Sequence, residues 1–388
     1  MTDNDFYWYW FANIPGIGIK TQKKLLDHFM HPSVLYNAPE NEVKGLLSTR
    51  QRNAFFASKN QERTDASIRK LKTRKVCFFH KESPEYPDCL RQLYDSPNLL
   101  YYIGRLPDFS KPLLAIVGSR NATIYGRNMA HKFAAELAKQ GVQIVSGLAA
   151  GVDTASHMGA LDVHGYTLGV LGGGIDTIYP IENFNLYQRI YETGGILSEY
   201  NIGLTPQKGM FPMRNRIISG ISDGVFVTEA GERSGSLITA DQGLEQGKDI
   251  FALPGRITDS LSKGCNYLIS QGAILVRSSE DIAEVIIKEK NTESKKKLIN
   301  ENQDPFSDIE KFFSKNKKAH KIYSLLDESR PVTFENLLKN SGFSAFELEH
   351  ILMNLELENI IYQLEQNVYL RKALYFLLAW QNEIVYDV

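Results

Sequence analysis

Between residues 76 and 287 the chain alternates short β-rich apolar runs with stretches of helical period, and this alternation limits its fold more than any other feature. The runs are LLAIVG (113–118), VQIVSG (142–147), TLGVLGG (167–173), GILSEY (195–200), GVFVTEA (224–230), DIFALPG (249–255) and AILV (273–276). Most end in Gly or another turn former. Between them lie segments such as GRNMAHKFAAELAKQG (126–141) and SLITADQGLEQG (236–247), whose apolar residues recur at helical spacing. Strands that alternate with helices require right-handed crossovers and give a mainly parallel sheet, an α/β fold. Ligands of such sheets bind at the carboxyl ends of the strands, near a switch in strand order. The Gly-rich turns follow strands, so they are expected along that one edge.

The flanks differ in composition. Residues 1–75 read as a small helical domain and hold thirteen Lys/Arg against seven Asp/Glu. Residues 288–318 are polar and charged, the composition of a linker. A small, mostly helical domain follows at 319–371, and an apolar tail without an assigned role occupies 372–388. Segment 321–371 carries four Lys/Arg against eight Asp/Glu, so it is the poorer electrostatic match for nucleic acid and the N-terminal segment the better one. The whole chain of 388 residues has a net charge of −1, which points to no partner by itself. Cys77, Cys89 and Cys265 are scattered, without Cys-x-x-Cys spacing, so a reducing cytoplasm and no structural metal are expected. MTDNDFYWYW has no basic segment leading into an apolar one, and ALYFLLAW (373–380) is too short to span a bilayer.

Several segments carry chemistry. In IPGIGIKTQKKLLDHF (14–29), Pro-Gly-x-Gly opens a turn ahead of a basic helix, with FYWYWFANI (6–14) as the helix before it. That is the pattern of a helix-hairpin-helix, whose turn grips a DNA phosphate through backbone N–H groups, with Lys20, Lys23 and Lys24 adding charge. A hairpin kept only for packing has the same pattern. In LLAIVGSRNATIYGR (113–127), the N–H groups of Gly118, Ser119 and Arg120 could form an anion-binding nest, and the Arg120 fork suits phosphate oxygens. Further Gly-rich turns come at Gly147, at Gly173 and at Gly235 with Ser236. Four such turns on one edge make a phosphate-binding groove longer than one nucleotide needs. TPQKGMFPMRNRIISG (205–220) sets Lys208, Arg214 and Arg216 around Phe211 and Asn215. Cations interleaved with an aromatic suit single-stranded nucleic acid, because the cations follow the backbone while the ring stacks on a base. The alternative is a core Phe211 beside arginines on a solvated helix face. No Gly-x-x-x-x-Gly-Lys-Ser/Thr and no Gly-x-Ser-x-Gly occurs, and His157 near Asp153 reads as a packing group more than a base.

IVGSRNATIYG, SGLAAGVDTASHMGAL, LGGGIDTIYPIEN, LSEY, FPMRNRIISG, TEAGERSGSLITA, EQGKDIFALPG and GCNYLISQGA stand in the order found in the DNA processing protein A (DprA/Smf) family, which the chain resembles over roughly 80–280. The resemblance implies an extended Rossmann core that binds single-stranded DNA without sequence preference and forms homodimers. It implies protection of incoming strands and loading of the recombinase RecA during natural transformation or homologous recombination. Neither a cofactor nor catalysis is implied. The family's DNA-facing residues map onto Ser119, Arg120, Lys208 and Phe211, with Arg214, Asn215 and Arg216 matching its Arg-Asn-Arg stretch. Family members usually carry a basic residue where Ala150 stands, so one phosphate contact is expected to be missing. Segment 321–372 resembles the family's winged-helix module. Its third helix, SAFELEHILMNLELEN (344–359), holds four glutamates and no Lys or Arg, which favours a protein contact over DNA reading. Two rivals remain. One is a nucleotide-cleaving phosphoribohydrolase on a related core, against which GERSGSLIT (231–239) lacks that group's glutamate. The other is a duplex-binding regulator, against which the acidic helix counts.

Overall fold

The structure is a computed structural model that describes residues 2–288, 290, 312–327, 332–358, 360–365 and 367–371. Most of the expected linker (288–318) and all of the expected tail (372–388) lie outside the described residues. The chain divides into two compact units, Met1–Ser294 and Lys295–Val388.

The first unit opens with helices α1 (Asp3–Ala12), α2 (Ile19–Phe29), α3 (Pro32–Asn37), α4 (Glu40–Lys44), α5 (Thr49–Ser58) and α6 (Gln61–Thr73). A capping box starts α1. Asp5 N donates to Thr2 Oγ1 (3.2 Å), and Thr2 N donates to the Asp5 carboxylate (2.7 Å). The aromatic run that follows is buried on two sides of the helix. Trp8, Trp10 and Phe11 join Ile14, Leu25, Phe29 and Phe55 in a core of the N-terminal helices. Tyr9 instead joins Leu99, Tyr101 and Tyr187 against the sheet. Between α1 and α2, Gly16 takes φ +74°, which side chains other than glycine's resist. Polar contacts join these helices to the sheet region: Asn98 Nδ2 donates to Gln22 Oε1 (2.9 Å), and Asn201 Nδ2 donates to the Tyr9 hydroxyl (2.8 Å).

The sheet comprises β1 (Cys77–His80), β2 (Leu99–Gly104), β3 (Leu113–Val117), β4 (Gln143–Ser146), β5 (Thr167–Gly174), β6 (Gly195–Tyr200), β7 (Gly224–Val227), β8 (Asp249–Ala252) and β9 (Ile274–Leu275). Their order is β1-β2-β6-β5-β4-β3-β7-β8-β9. All pairs from β6 to β9 are parallel, while β1–β2 and β2–β6 are antiparallel. The seven apolar runs of the sequence correspond to β3 through β9. The antiparallel pair β1 and β2 is the addition. Helices α7 (Asp88–Arg91), α8 (Ile124–Lys139), α9 (Val152–Asp162), α10 (Phe184–Thr193), α11 (Met210–Ile221), α12 (Gly235–Glu245) and α13 (Lys263–Ser270) fill the connections.

Alternation along each strand assigns its two faces. Leu113, Ala115 and Val117 of β3 meet Ile217, Ile218 and Ala240 of α11 and α12, and Leu114 and Ile116 meet Phe133, Leu137 and Val152 of α8 and α9. With helices on both faces, the central strands are buried throughout, as a parallel sheet requires. From β3 the chain steps to β4 and β5 on one side, then returns to place β7 on the other. The switch in strand order therefore falls between β3 and β7, and the turns after β3, β4, β5 and β7 share the carboxyl edge.

The second unit contains α14 (Lys317–Leu325), β10 (Val332–Thr333), α15 (Phe334–Ser341), α16 (Ala345–Leu357), β11 (Ile361–Glu365) and β12 (Val368–Arg371). Its sheet is antiparallel, in the order β10-β12-β11. Ile322, Leu337, Leu348, Leu352, Leu355 and Ile361 form its core. Among the described residues no helix is long and apolar enough to cross a membrane.

Candidate functional site

The turn after β3 leads into α8 at the switch point. Thr123 caps the helix by accepting from Gly126 N (3.0 Å). Two of the N–H donors at this helix start, those of Thr123 and Gly126, are taken within the protein. Glu229, at the end of the β7 run, accepts from Thr123 N (2.8 Å) and Thr123 Oγ1 (2.6 Å) through its carboxylate. Its backbone carbonyl accepts from Ser119 N (2.8 Å). Gly126 allows this approach, since a Cβ there would collide with the Glu229 carboxylate. In nucleotide-binding folds a phosphate occupies this position at the helix N-terminus. Here a side-chain anion of the protein fills it. Of the expected backbone nest at Gly118, Ser119 and Arg120, the Ser119 N–H is spent on the Glu229 carbonyl, and a Cβ on Gly118 would meet Val152 and that same carbonyl.

Arg120 escapes that network. It is exposed, and its guanidinium carbon lies 4.9 Å from the centroid of the Phe211 ring. Phe211 stands in the first turn of α11 and is half-buried, because Gly172 of β5 admits the ring. A Cβ on Gly172 would come within 2.8 Å of Phe211 Cδ1. Tyr179, from the loop after β5, places its ring 5.7 Å from Phe211 at a 39° tilt. Lys208, in the loop before α11, is exposed. The carboxyl edge thus presents a cation, two aromatic rings and a nearby lysine.

Arg214 and Arg216 lie elsewhere, and the expectation that they line the surface is corrected. Arg214 is 4% exposed. Its Nη1 donates to Gly147 O (2.8 Å) and to Val170 O, and its Nε donates to Asn215 Oδ1 (3.2 Å). Burial lowers its pKa to about 10, with Asp153 opposing the shift, so it remains charged at neutral pH. Asp153 accepts from Gly147 N (3.1 Å) and Ala149 N (3.3 Å). Burial raises its carboxyl pKa against the pull of Arg214. Arg216 is 2% exposed and pairs with Glu199 (2.6 Å) and Asp95 (3.2 Å). Burial opposes its charge, but the two carboxylates outweigh that and hold its pKa above the ordinary value. Half-buried Asn215 donates to Gly235 O (3.3 Å) and joins α11 to the start of α12.

The remaining expected positions divide in the same way. A Cβ on Gly147 would meet Asp153 Oδ2 at 2.7 Å, and one on Gly173 would meet Pro206 Cγ at 2.6 Å. Both glycines permit close packing and do not open onto solvent. Gly235 is open, while the buried Ser236 turns its hydroxyl to Ser234 Oγ (2.7 Å). Ala150 is exposed beside Gly151, where an added Cβ would collide with the Ser119 and Arg120 carbonyls. Lys20, Lys23 and Lys24 are exposed on α2, with Lys23 Nζ 4.8 Å from the ring centroid of Tyr94. His157 is fully buried. Burial, and then the charge of Arg214, lowers its pKa to about 3, and its Nδ1 pairs with Thr167 Oγ1 (2.7 Å). Sequence reasoning passed over Glu229 and Tyr179, which lie inside segments read only as glycine turns.

A family model for DNA recombination-mediator protein A matches residues 77–287. The chain belongs to this family, DprA/Smf. It is 48% identical to the DNA processing protein DprA of Streptococcus pneumoniae over 197 residues, 51% of this chain and 70% of that one. Against DprA of Bacillus subtilis the identity is 45% over 203 residues, 52% and 68% of the two chains. The X-ray structure of Streptococcus pneumoniae DprA superposes with a TM-score of 0.65 at 36% identity, covering 72% of this chain and 98% of that one. DprA from Helicobacter pylori, a protein studied for its single-stranded DNA binding mode, superposes at 0.51 with 33% identity, covering 55% of this chain and 97% of its own. The DprA fold therefore extends beyond the residues matched by the family model.

Proposed function

We propose that the carboxyl edge of the sheet binds single-stranded DNA without reading its sequence, and that the protein acts as a recombination mediator. In this role it shields incoming strands and loads RecA recombinase during natural transformation or homologous recombination, without catalysis or a cofactor. The observation that carries the reading is the exposed Arg120 guanidinium lying over the Phe211 ring. Arg120 and Lys208 engage phosphates, Phe211 stacks on a base, and Ser119 supports the turn. Arg214, Asn215 and Arg216 hold the loops beneath. Glu229 counts against a nucleotide-cleaving enzyme, because it fills the helix start where a free nucleotide's phosphate would dock.

The same reading gives each segment a place. Residues 1–75 are a helix-hairpin-helix or SAM-like domain, with Lys20, Lys23 and Lys24 as a secondary DNA contact. Residues 76–287 are the extended Rossmann core and the homodimer contact, 288–318 a linker and 319–371 a winged helix. Exposed Phe346, Glu349, Met353 and Leu357 on α16 suit a protein contact. The protein works in the cytoplasm.

The test is binding of labelled oligothymidylate across a salt series. Affinity should fall as salt rises. Arg120→Ala should flatten the log–log slope by about 0.7, the value for one phosphate on a single strand. Phe211→Ala should cost about 1–3 kcal/mol, one stacked base. Absent or salt-insensitive binding by the intact protein would refute the proposal.

A further inference from the structure

We infer that Tyr179 is a second base-stacking residue, which extends the proposed strand site by one nucleotide beyond Phe211. This rests on the single-strand reading of that site. The ring stands 5.7 Å from Phe211 and is 48% exposed. Phe211 is the neighbour shared by Arg120 and Tyr179, so the three planar groups form a continuous surface at the sheet edge. Phe211 also leans on Gly172 and lies under Arg120, so it has packing partners besides Tyr179.

The loop that carries Tyr179 is anchored while its ring is left outside. The hydroxyl of fully buried Tyr187 accepts from Tyr179 N (3.3 Å) and donates to Tyr179 O (3.2 Å). Four residues later, buried Asn183 donates to Leu148 O (2.9 Å) and to Thr154 Oγ1 (2.9 Å), tying the loop to the start of α9. An aromatic ring on an anchored backbone and open on its face is partly preorganised for stacking, because little backbone entropy remains to be lost. Exposed Ile181 and Phe184 continue the apolar surface of the same loop. The surface suits an unpaired strand, whose bases offer flat faces whatever their sequence.

The experiment measures binding of short labelled oligothymidylates to the full chain and to Tyr179→Ala, Tyr179→Leu, Tyr179→Phe, Phe211→Ala and the Phe211→Ala/Tyr179→Ala double variant. Tyr179→Ala and Tyr179→Leu should weaken binding by about five- to a hundredfold, the range for one stacked base, with an unchanged salt slope. Tyr179→Phe should stay within about twofold of the parent, since the ring is kept. The double variant should bind at least about fivefold more weakly than Phe211→Ala alone. Equal binding by those two would reduce Tyr179 to a prop for Phe211 and overturn the inference. Parent-like binding by Tyr179→Leu, with Phe211→Ala weakened, would also overturn it and leave the single-strand reading intact. Failure of the parent protein to bind would remove both.

Discussion

Arg120 and Arg214 sit beside the same sheet edge, carry the same side chain and were expected to do the same thing. Arg120 is exposed and lies over Phe211. Arg214 is sealed inside, where its guanidinium bridges the carbonyls of Gly147, just after β4, and Val170, within β5. The difference lies in what surrounds each. Arg120 projects from a turn whose backbone is tied down by Glu229, so its side chain remains free to reach outward. Arg214 starts the covered part of α11, which packs against β5 and α12 and, through Gly220, against Leu90 and Leu93 of the α7 region. Arg214, Arg216, Ile217, Ile218, Ser219, Gly220 and Ile221 of α11 are all buried, and the polar ones among them find partners inside. One arginine is placed to serve the proposed site, and the other is part of its frame.

The strongest way to break this distinction is to remove a frame cation. Arg216→Ala would strand the Glu199 carboxylate in a buried place without its partner. Loss of one member of a buried pair costs about 3–5 kcal/mol. Denaturant unfolding should show that loss, while Arg120→Ala should unfold within about 0.5 kcal/mol of the parent, as exposed positions do. A stable Arg216→Ala variant with selectively weakened DNA binding would return Arg216 to the surface group.

A second test uses pH. His157 is a neighbour of Arg214 in the frame, and its pKa is lowered to about 3. The unfolded chain takes up this proton near the ordinary histidine value of about 6.5. Between those values the unfolded state binds more protons, so stability falls as pH falls, with a slope approaching about 1.4 kcal/mol per unit. The contribution is fully present above about pH 6.5. Asp153 acts in the opposite sense, since a raised carboxyl pKa favours the folded state as acid is added. Comparing the parent with His157→Gln isolates the histidine, because Asp153 is common to both. The stability gap between them should narrow from pH 7 to pH 5. Parallel profiles would mean that His157 is not held neutral.

Much of the frame was readable in advance, and its gaps have physical causes. The apolar runs for β3 to β9 were legible because a strand buried on both faces must be apolar throughout. β1, CFFH, is only four residues long, and β2 pairs antiparallel at the edge, so neither repeats the strand-then-helix rhythm that identified the others. At the site, KGMFPMRNR showed cations near an aromatic but not their burial, because the partners that bury them come from other segments: Gly147 and Val170 for Arg214, Asp95 and Glu199 for Arg216. Glu229 was hidden for a related reason. Nothing in VTEAGERSG reveals that β7 lies next to β3, and only that adjacency brings the carboxylate to Thr123. Tyr179 lay in a segment whose glycines drew attention to the backbone.

The finest test separates charge from shape at Arg120 itself. Arg120→Lys keeps the positive charge and loses the planar fork that rests on Phe211. If Arg120 were only a phosphate counter-charge, the lysine variant would match the parent in both affinity and salt slope. If it is also a member of the aromatic surface, the slope should stay the same while affinity falls by about 0.5–1 kcal/mol, the worth of an exposed cation–π contact. The two quantities come from one salt titration and move independently, since counterion release counts charges and not planes. A lost slope with retained affinity would contradict both roles. An unchanged slope with weakened binding would show that the planar fork of Arg120, and not its charge alone, contributes to binding, a contribution that buried Arg214 cannot offer.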